Sequence, residues 1–295
     1  MATTVKGAFD EYKTNLELTD KQTNLVSTRR ANVEKALAGE LTLHPDRTKV
    51  IGSWDRTTLT RYLSEGDVDV LVVMNYGAHK EWHNADGTIK CLDRFKSILQ
   101  GTYPSTTMRR DRNCISIAFS EFRLDVVPAF KYDSGDYMIP DSIRKQWVAT
   151  NPFTFASNVT ELNSNISSRY VPLIKMVKGW NREAKWPIRS FHLECMLYNH
   201  CKSWNKVYDW GDMIQDFFQS LPSYVDGAAY DPVKGDRVDT YLDNNSAPTR
   251  RATAKTKATD AAAKSKEAYN DQEKYPSVSI KEWKALLGEF FPSYG

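Results

Sequence analysis

The chain has 295 residues, enough for one large domain or two intimate ones around a buried core. Its 40 Lys and Arg against 37 Asp and Glu leave a formal charge of +3, so the overall balance does not announce a nucleic-acid binder, although a local patch is compatible with it. Cys91, Cys114, Cys195 and Cys201 show no paired spacing, and no basic-then-apolar leader or long apolar run appears, which points to a soluble protein of the reducing cytoplasm with no membrane partner.

Residues 19–37 carry a capping box, Thr19 with Gln22, and apolar positions at Leu25, Val26, Val33 and Leu37, which predicts a helix lying behind a sheet. Val50-Ile51 runs into Gly52-Ser53, a turn pair in which glycine lets the backbone approach a phosphate and serine adds a hydroxyl donor. An insert, Trp54-Asp55-Arg56-Thr57-Thr58, leaves open whether Thr57 or Thr58 also touches phosphate. Residues 66–73 then read as a strand buried in mid-sheet, with Asp67 and Asp69 at its mouth on one face.

Residues 89–99 have helical spacing. The basic run Arg109-Arg110-Asp111-Arg112 reads as a solvated turn before a strand at 114–119, against the sharper reading that Arg109 or Arg110 leans over phosphates. Residues 122–130 form a second apolar strand with the single acid Asp125. Between 134 and 165 the periodicity weakens, and the hinge is placed there, giving domains at 1–160 and 161–295.

In the second half, Leu173, Ile174, Val177 and Trp180 form an apolar helical stripe, with Lys175 and Lys178 one turn apart on another face. Ser190 is placed as the cap of the next helix. His192, Cys195, His200 and Cys201 invite a zinc reading, but they lack Cys-x-x-Cys spacing and only partly share a face, so buried small residues are expected instead. A short amphipathic helix at 212–221 precedes a Pro/Gly loop at 230–239 that is rich in acids. Residues 250–266 read as an exposed, lysine-rich helical face rather than a contact for an activating nucleic acid, because aromatics are scarce in it. A last helix is expected to pack through Trp283, Leu286, Leu287 and Phe290.

The chemistry lies in the acids. Two carboxylates at the mouth of an apolar strand are costly unless a cation sits there. With a third on a neighbouring strand, they can clamp two divalent ions about 3.5–4 Å apart, one for an attacking oxygen and one for a leaving phosphate. Magnesium suits carboxylates combined with phosphate oxygens.

At Gly52, Ser53, Asp67, Asp69 and Asp125 the sequence resembles the nucleotidyltransferase superfamily with a DNA polymerase β-like core. The run 123–130 looks like the third-acid strand of the bacterial CD-NTases, relatives of cyclic GMP-AMP synthase that make cyclic oligonucleotide signals in anti-phage (CBASS) defence. The resemblance implies an α/β (α+β) fold, a small mixed sheet with helices followed by a helical C-terminal lobe, with the active cleft between them and the helix at 19–37 as a spine. It implies a metal-dependent synthase joining nucleoside triphosphates into a cyclic di- or trinucleotide, with Asp67, Asp69 and Asp125 holding two Mg2+ ions, or Mn2+ in their place.

By the same resemblance, Lys178 and Ser190 match the residues that contact the triphosphate, and Phe191 falls where an aromatic ring stacks on a base. ATP, GTP or other triphosphates are the implied substrates, and a downstream effector the receiver of the product. In some defence operons of the family a ubiquitin-like ligase acts on the C-terminal residue, here Gly295. The alternative is a template-independent enzyme of the oligoadenylate or tRNA-end-adding type, which shares the acids and releases linear products. A catalytically idle nucleotide sensor is the more distant rival.

Overall fold

The computed structural model describes residues 2–204 and 208–295. The chain forms two compact units, residues 18–156 and residues 1–17 together with 157–295. No helix among the described residues is long and apolar enough to cross a membrane.

Helix α1 (Val5–Asn15) opens the chain, its first turn capped by Thr4 Oγ1 accepting from the Gly7 amide at 3.1 Å. Helix α2 (Asp20–Ala38) starts on the expected capping box of Thr19 and Gln22. Strands β1 (Leu43–Ile51) and β2 (Asp67–Met74) follow, then the short α3 (Tyr76–His79), α4 (Gly87–Thr102), β3 (Thr107–Arg110), β4 (Ile115–Ala118) and β5 (Arg123–Lys131). Strands β6 (Tyr137–Asp141) and β7 (Gln146–Thr150) form a hairpin.

The sheet has the order β1-β2-β5-β4-β3, with β6 pairing β5 and β7. Only β2 and β5 run parallel, because the chain between them crosses through α4; the other pairs are antiparallel.

Alternation along β2 and β5 divides this unit. Val68, Val70, Val72, Leu124 and Val126 point to the side where Val26, Val33 and Leu37 of α2 and Leu92, Phe95 and Leu99 of α4 complete the main core. Each such fully buried side chain contributes about 1.5–3 kcal/mol of transfer free energy. Asp67, Asp69 and Asp125 leave the opposite side, sharing it with the smaller cluster of Leu71, Val73, Val127 and Ala129. The helix at 19–37 thus lies behind the sheet, as its pattern predicts.

Two local readings change. The run at 109–112 divides: Arg109 and Arg110 end edge strand β3, in register with Ser116 and Ile115 of β4, and Asp111 and Arg112 begin the expected turn between the strands. Arg110 is tied to Asp93 at 2.7 Å and Arg109 to Asp111 at 3.5 Å. The stretch at 134–165 is structured as the β6–β7 hairpin and helix α5 (Pro152–Asn165), with Pro140 in β6, Pro152 opening α5 and Asn158 and Asn163 inside it, and the two compact units divide within it, at 156/157.

The helical unit continues with α6 (Tyr170–Glu183), α7 (Ser190–Cys201), α8 (Trp210–Asp226), α9 (Arg250–Asn270) and α10 (Pro276–Leu287). Helix α6 is covered on nearly every side, so Lys175 and Lys178 are buried rather than exposed; each is satisfied by a carboxylate, Glu17 at 2.6 Å and Glu194 at 2.7 Å. Helix α9 exposes Lys257, Lys264 and Lys266, as its composition predicts, and docks by its opposite side. Ala254, Ala258, Ala261 and Ala268 are buried, and Arg251 and Lys255 are paired with Asp239, Asp243 and Asp226. Cys195 and Cys201 are buried and form no disulfide. At the C-terminal end Trp283, Leu286 and Leu287 pack inward, and Phe291 takes the buried place expected of Phe290, which is half-buried. The tail lies against Ala2, whose amide donates to Ser293 O at 3.2 Å and whose carbonyl accepts from Gly295 N at 3.3 Å.

Gly179 is where α1 and α6 approach most tightly. A Cβ there would fall 2.0 Å from the hydroxyl of Tyr12, which donates to Leu287 O at 2.8 Å. Gly179→Ala is expected to destabilise the protein by roughly 1–3 kcal/mol in urea melts, because Tyr12 is fully buried and must shift.

Candidate active site

Three short-range facts of β-structure assemble the acids. Asp67 and Asp69 are two residues apart on β2, so both leave one face. Parallel pairing puts Asp125 of β5 directly beside Asp69 and Arg123 directly beside Asp67. Antiparallel pairing on the other side puts Ser116 of β4 beside Asp125, where its hydroxyl hydrogen-bonds the carboxylate.

The Gly52-Ser53 turn closes the fourth side. Ile51 ends β1 opposite Asp69, and Gly52 follows at φ +70°, a left-handed conformation that favours glycine. A Cβ at Gly52 would stand 2.3 Å from Asp69 Oδ2, so the missing side chain is what lets the turn approach the carboxylate. Ser53 O then accepts from the amides of Thr58 and Leu59 at 2.9 and 3.1 Å, folding the insert back over the turn. Thr58 is fully buried, and the Thr57 hydroxyl donates to Arg56 O at 2.7 Å.

Burial, with Asp67 and Asp125 alongside, raises the Asp69 carboxyl to about 7. Asp125 is raised too, by burial, against the lowering effects of the Ser116 hydrogen bond and of Arg123. Its Oδ1 is buried without a hydrogen-bond partner. Arg123 Nη2 lies 2.5 Å from Asp67 Oδ2, and its Nε lies 3.6 Å from Asp125 Oδ1. Crowded carboxylates, one with an orphan oxygen and one with a raised pKa, are a donor set that fits a divalent cation. As the side chains stand, no three carboxylate, imidazole or thiol groups among the described residues form a ready cage.

The residues expected at the triphosphate lie in the helical unit. Lys178 is engaged with the buried Glu194. Ser190 is not the cap of α7 but its first helical residue; the cap is Arg189, which adopts an extended backbone and donates its amide to Tyr241 Oη at 2.8 Å. Phe191 is half-buried. His192 is buried beside the same tyrosine, Nδ1 3.1 Å from Tyr241 Oη, and burial pushes its pKa down to about 4.

Sequence reasoning passed over Arg123, Ser116 and Glu194. Arg123 had a signal, its position two residues before Asp125 and hence on the same face. Ser116 and Glu194 had none: Ser116 is one hydroxyl in a short apolar strand, and Glu194 shares its helix with other polar residues.

A family model described as the Second Messenger Oligonucleotide or Dinucleotide Synthetase (SMODS) domain matches residues 3–163, more than half of the chain. The chain belongs to this family. This SMODS chain is a nucleotidyltransferase of the cyclic-oligonucleotide synthase type. It is 25% identical to the cyclic AMP-AMP-AMP synthase of an Acinetobacter species, over 89% of this chain and 79% of that protein. It is 24% identical to a probable cyclic nucleotide synthase of Bacillus cereus, over 100% of this chain and 99% of that one. Among solved structures, the Vibrio cholerae DncV cyclic AMP-GMP synthase in complex with the linear intermediate 5′ pppA(3′,5′)pG matches with a TM-score of 0.73 at 17% identity, covering 96% of this chain and 97% of that one. That likeness is one of fold, and it bears out the small mixed sheet with a helical lobe.

The raised Asp69 carboxyl carries a pH signature. Its folded pKa of about 7 exceeds the ordinary 3.8, so between those values the folded SMODS chain holds a proton that the unfolded chain has released. Its contribution to stability is therefore full at low pH and is lost as pH rises toward 7, by at most about 1.4 kcal/mol per unit. In metal-free buffer the melting temperature of Asp69→Asn is expected to exceed that of the parent by a margin that widens from pH about 5 to about 8. A margin independent of pH would show that Asp69 is ionised throughout.

Proposed function

We propose that the protein condenses nucleoside triphosphates into a cyclic di- or trinucleotide second messenger for bacterial anti-phage (CBASS) signalling in the cytoplasm. The observation that carries this reading is the register that sets Asp125 beside Asp69, with Asp67 two residues away. The likeness to the cyclic AMP-AMP-AMP synthase supports ATP among the substrates.

Asp67, Asp69 and Asp125 would hold two magnesium ions, or manganese in their place, which supply Lewis-acid activation of a ribose hydroxyl and neutralise charge on the phosphates. Asp67 and Asp69 would serve both ions and Asp125 one of them. The Gly52-Ser53 turn brings backbone and a hydroxyl donor beside Asp69, where a phosphate oxygen is received. Lys178, Ser190 and Phe191 are assigned to nucleotide binding by the family resemblance; a helix start at Ser190 suits an anion through the partial positive charge of a helix N-terminus. Positioning and charge neutralisation then do most of the catalysis, as in other phosphoryl transfers. A linear intermediate forms first and is closed into a ring. The product goes to a downstream effector.

Incubation with labelled ATP, GTP, CTP and UTP and magnesium or manganese, followed by phosphatase, tests this. A phosphatase-resistant product with the mass of an intact ring is expected. Linear, phosphatase-sensitive products would identify a template-independent polymerase instead, and no pyrophosphate release with any metal a nucleotide sensor.

Gly52→Ala is a finer test, since its Cβ would collide with Asp69 Oδ2 in a conformation that alanine resists. Pyrophosphate release is expected to fall by about 100-fold or more with circular dichroism unchanged. A rate near that of the parent would remove the turn from the reading.

A further inference from the structure

Arg123 occupies a place that the proposed mechanism does not use. It stands two residues before Asp125 on β5 and beside Asp67 across the ladder, so its side chain leaves the sheet on the face of the acids. Its guanidinium meets two of the three carboxylates, at 2.5 Å from Asp67 Oδ2 and 3.6 Å from Asp125 Oδ1. Asp125 Oδ1 has no hydrogen bond, so the ionic contact with Arg123 is the compensation given for it.

We propose that Arg123 is a resident counter-cation that competes with the divalent ions for Asp67 and Asp125, and must swing away before the carboxylates can close on metal. The proposal rests on the reading of these acids as metal ligands.

Three considerations support it. A guanidinium keeps its charge at any working pH, so it can leave the acids only by moving, not by losing a proton. Its side chain is 44% exposed and that of Asp67 47%, so the arginine has solvent to swing into and the pair it gives up is a weak, half-hydrated one. The absence of a ready cage among the described residues means that metal entry requires side-chain rearrangement, and this guanidinium stands within reach of two of the acids. A latch of that strength holds the carboxylates in the metal-free protein without outbidding an ion held by all three.

The test is Mn2+ binding without nucleotide, read from the electron paramagnetic resonance of the free ion, for the parent, Arg123→Gln, Arg123→Lys and Asp67→Asn. Each is melted in parallel in metal-free buffer. Arg123→Gln is expected to bind Mn2+ about 3- to 10-fold more tightly while melting lower without metal, since an exposed pair is worth up to about 5-fold in an equilibrium constant and this arginine serves two acids. Arg123→Lys is expected to bring the affinity most of the way back, which a merely structural role in β5 would not produce. Equal Mn2+ affinity in the parent and Arg123→Gln, with Asp67→Asn weaker, would overturn the latch and leave the metal site standing. No binding to the parent or to Arg123→Gln would overturn both. Binding to Arg123→Gln alone would show the latch to be stronger than argued here.

Discussion

Repulsion among Asp67, Asp69 and Asp125 is the constraint to which the sheet unit answers. Three carboxylates are brought together by strand pairing alone, since Asp125 is the direct neighbour of Asp69 in the β2–β5 ladder. Nothing in the ladder relieves the crowding. The protein meets it locally with one hydrogen bond from Ser116, the guanidinium groups of Arg123 and Arg56, and raised pKa values at Asp69 and Asp125. The opposite face of the same strands carries none of this cost. There Val68, Val70, Val72, Leu124 and Val126 join α2 and α4 in a continuous apolar core, which supplies the rigidity that holds the acids in place.

The helical unit manages charge differently, by burying it in pairs. Lys178 and Glu194 have side chains only 6% and 1% exposed, and Asp239, fully buried, accepts from both Arg237 and Arg251. Such pairs seldom add net stability over an apolar replacement, but removing one partner is severe because the other is left as an uncompensated buried charge. They therefore specify which helix meets which: Lys178 of α6 with α7, and Arg251 of α9 with the loop that carries Asp239. Lys178 was read from sequence as a phosphate ligand. Its engagement with Glu194 means that any phosphate contact is made by an ammonium already partly neutralised.

Much of the sheet unit was legible because period-two alternation within apolar runs marks both the strand and the face of each acid. Asp67, Asp69 and Asp125 stood out as the acids that interrupt such runs. Gly52 stood out as a turn glycine, but its closest constraint, the approach to Asp69, depends on β1 pairing with β2 and is invisible in one dimension. The β6–β7 hairpin was missed because Pro140 and Asp141 interrupt its pattern. The edge strand β3 was missed because a solvated strand and a solvated turn share the composition of Arg109-Arg110-Asp111. The burial of Lys175 and Lys178 was not visible because their partners, Glu17 and Glu194, lie on other elements, and long-range pairing leaves no local trace.

The in-register parallel pairing of β2 and β5 also ties chemistry to folding fidelity. These strands are more than fifty residues apart in the chain and must find each other without a hairpin to guide them, a slow kind of closure. A slip of a single residue would send Asp125 through the sheet to the oily side and bring Leu124 or Val126 out beside Asp69. The same slip would bury a carboxylate against α2 and α4 at a cost of several kcal/mol. The apolar packing thus proofreads the alignment: a molecule whose hydrophobic face is correctly sealed has, by the geometry of the pleat, its three acids on the other side.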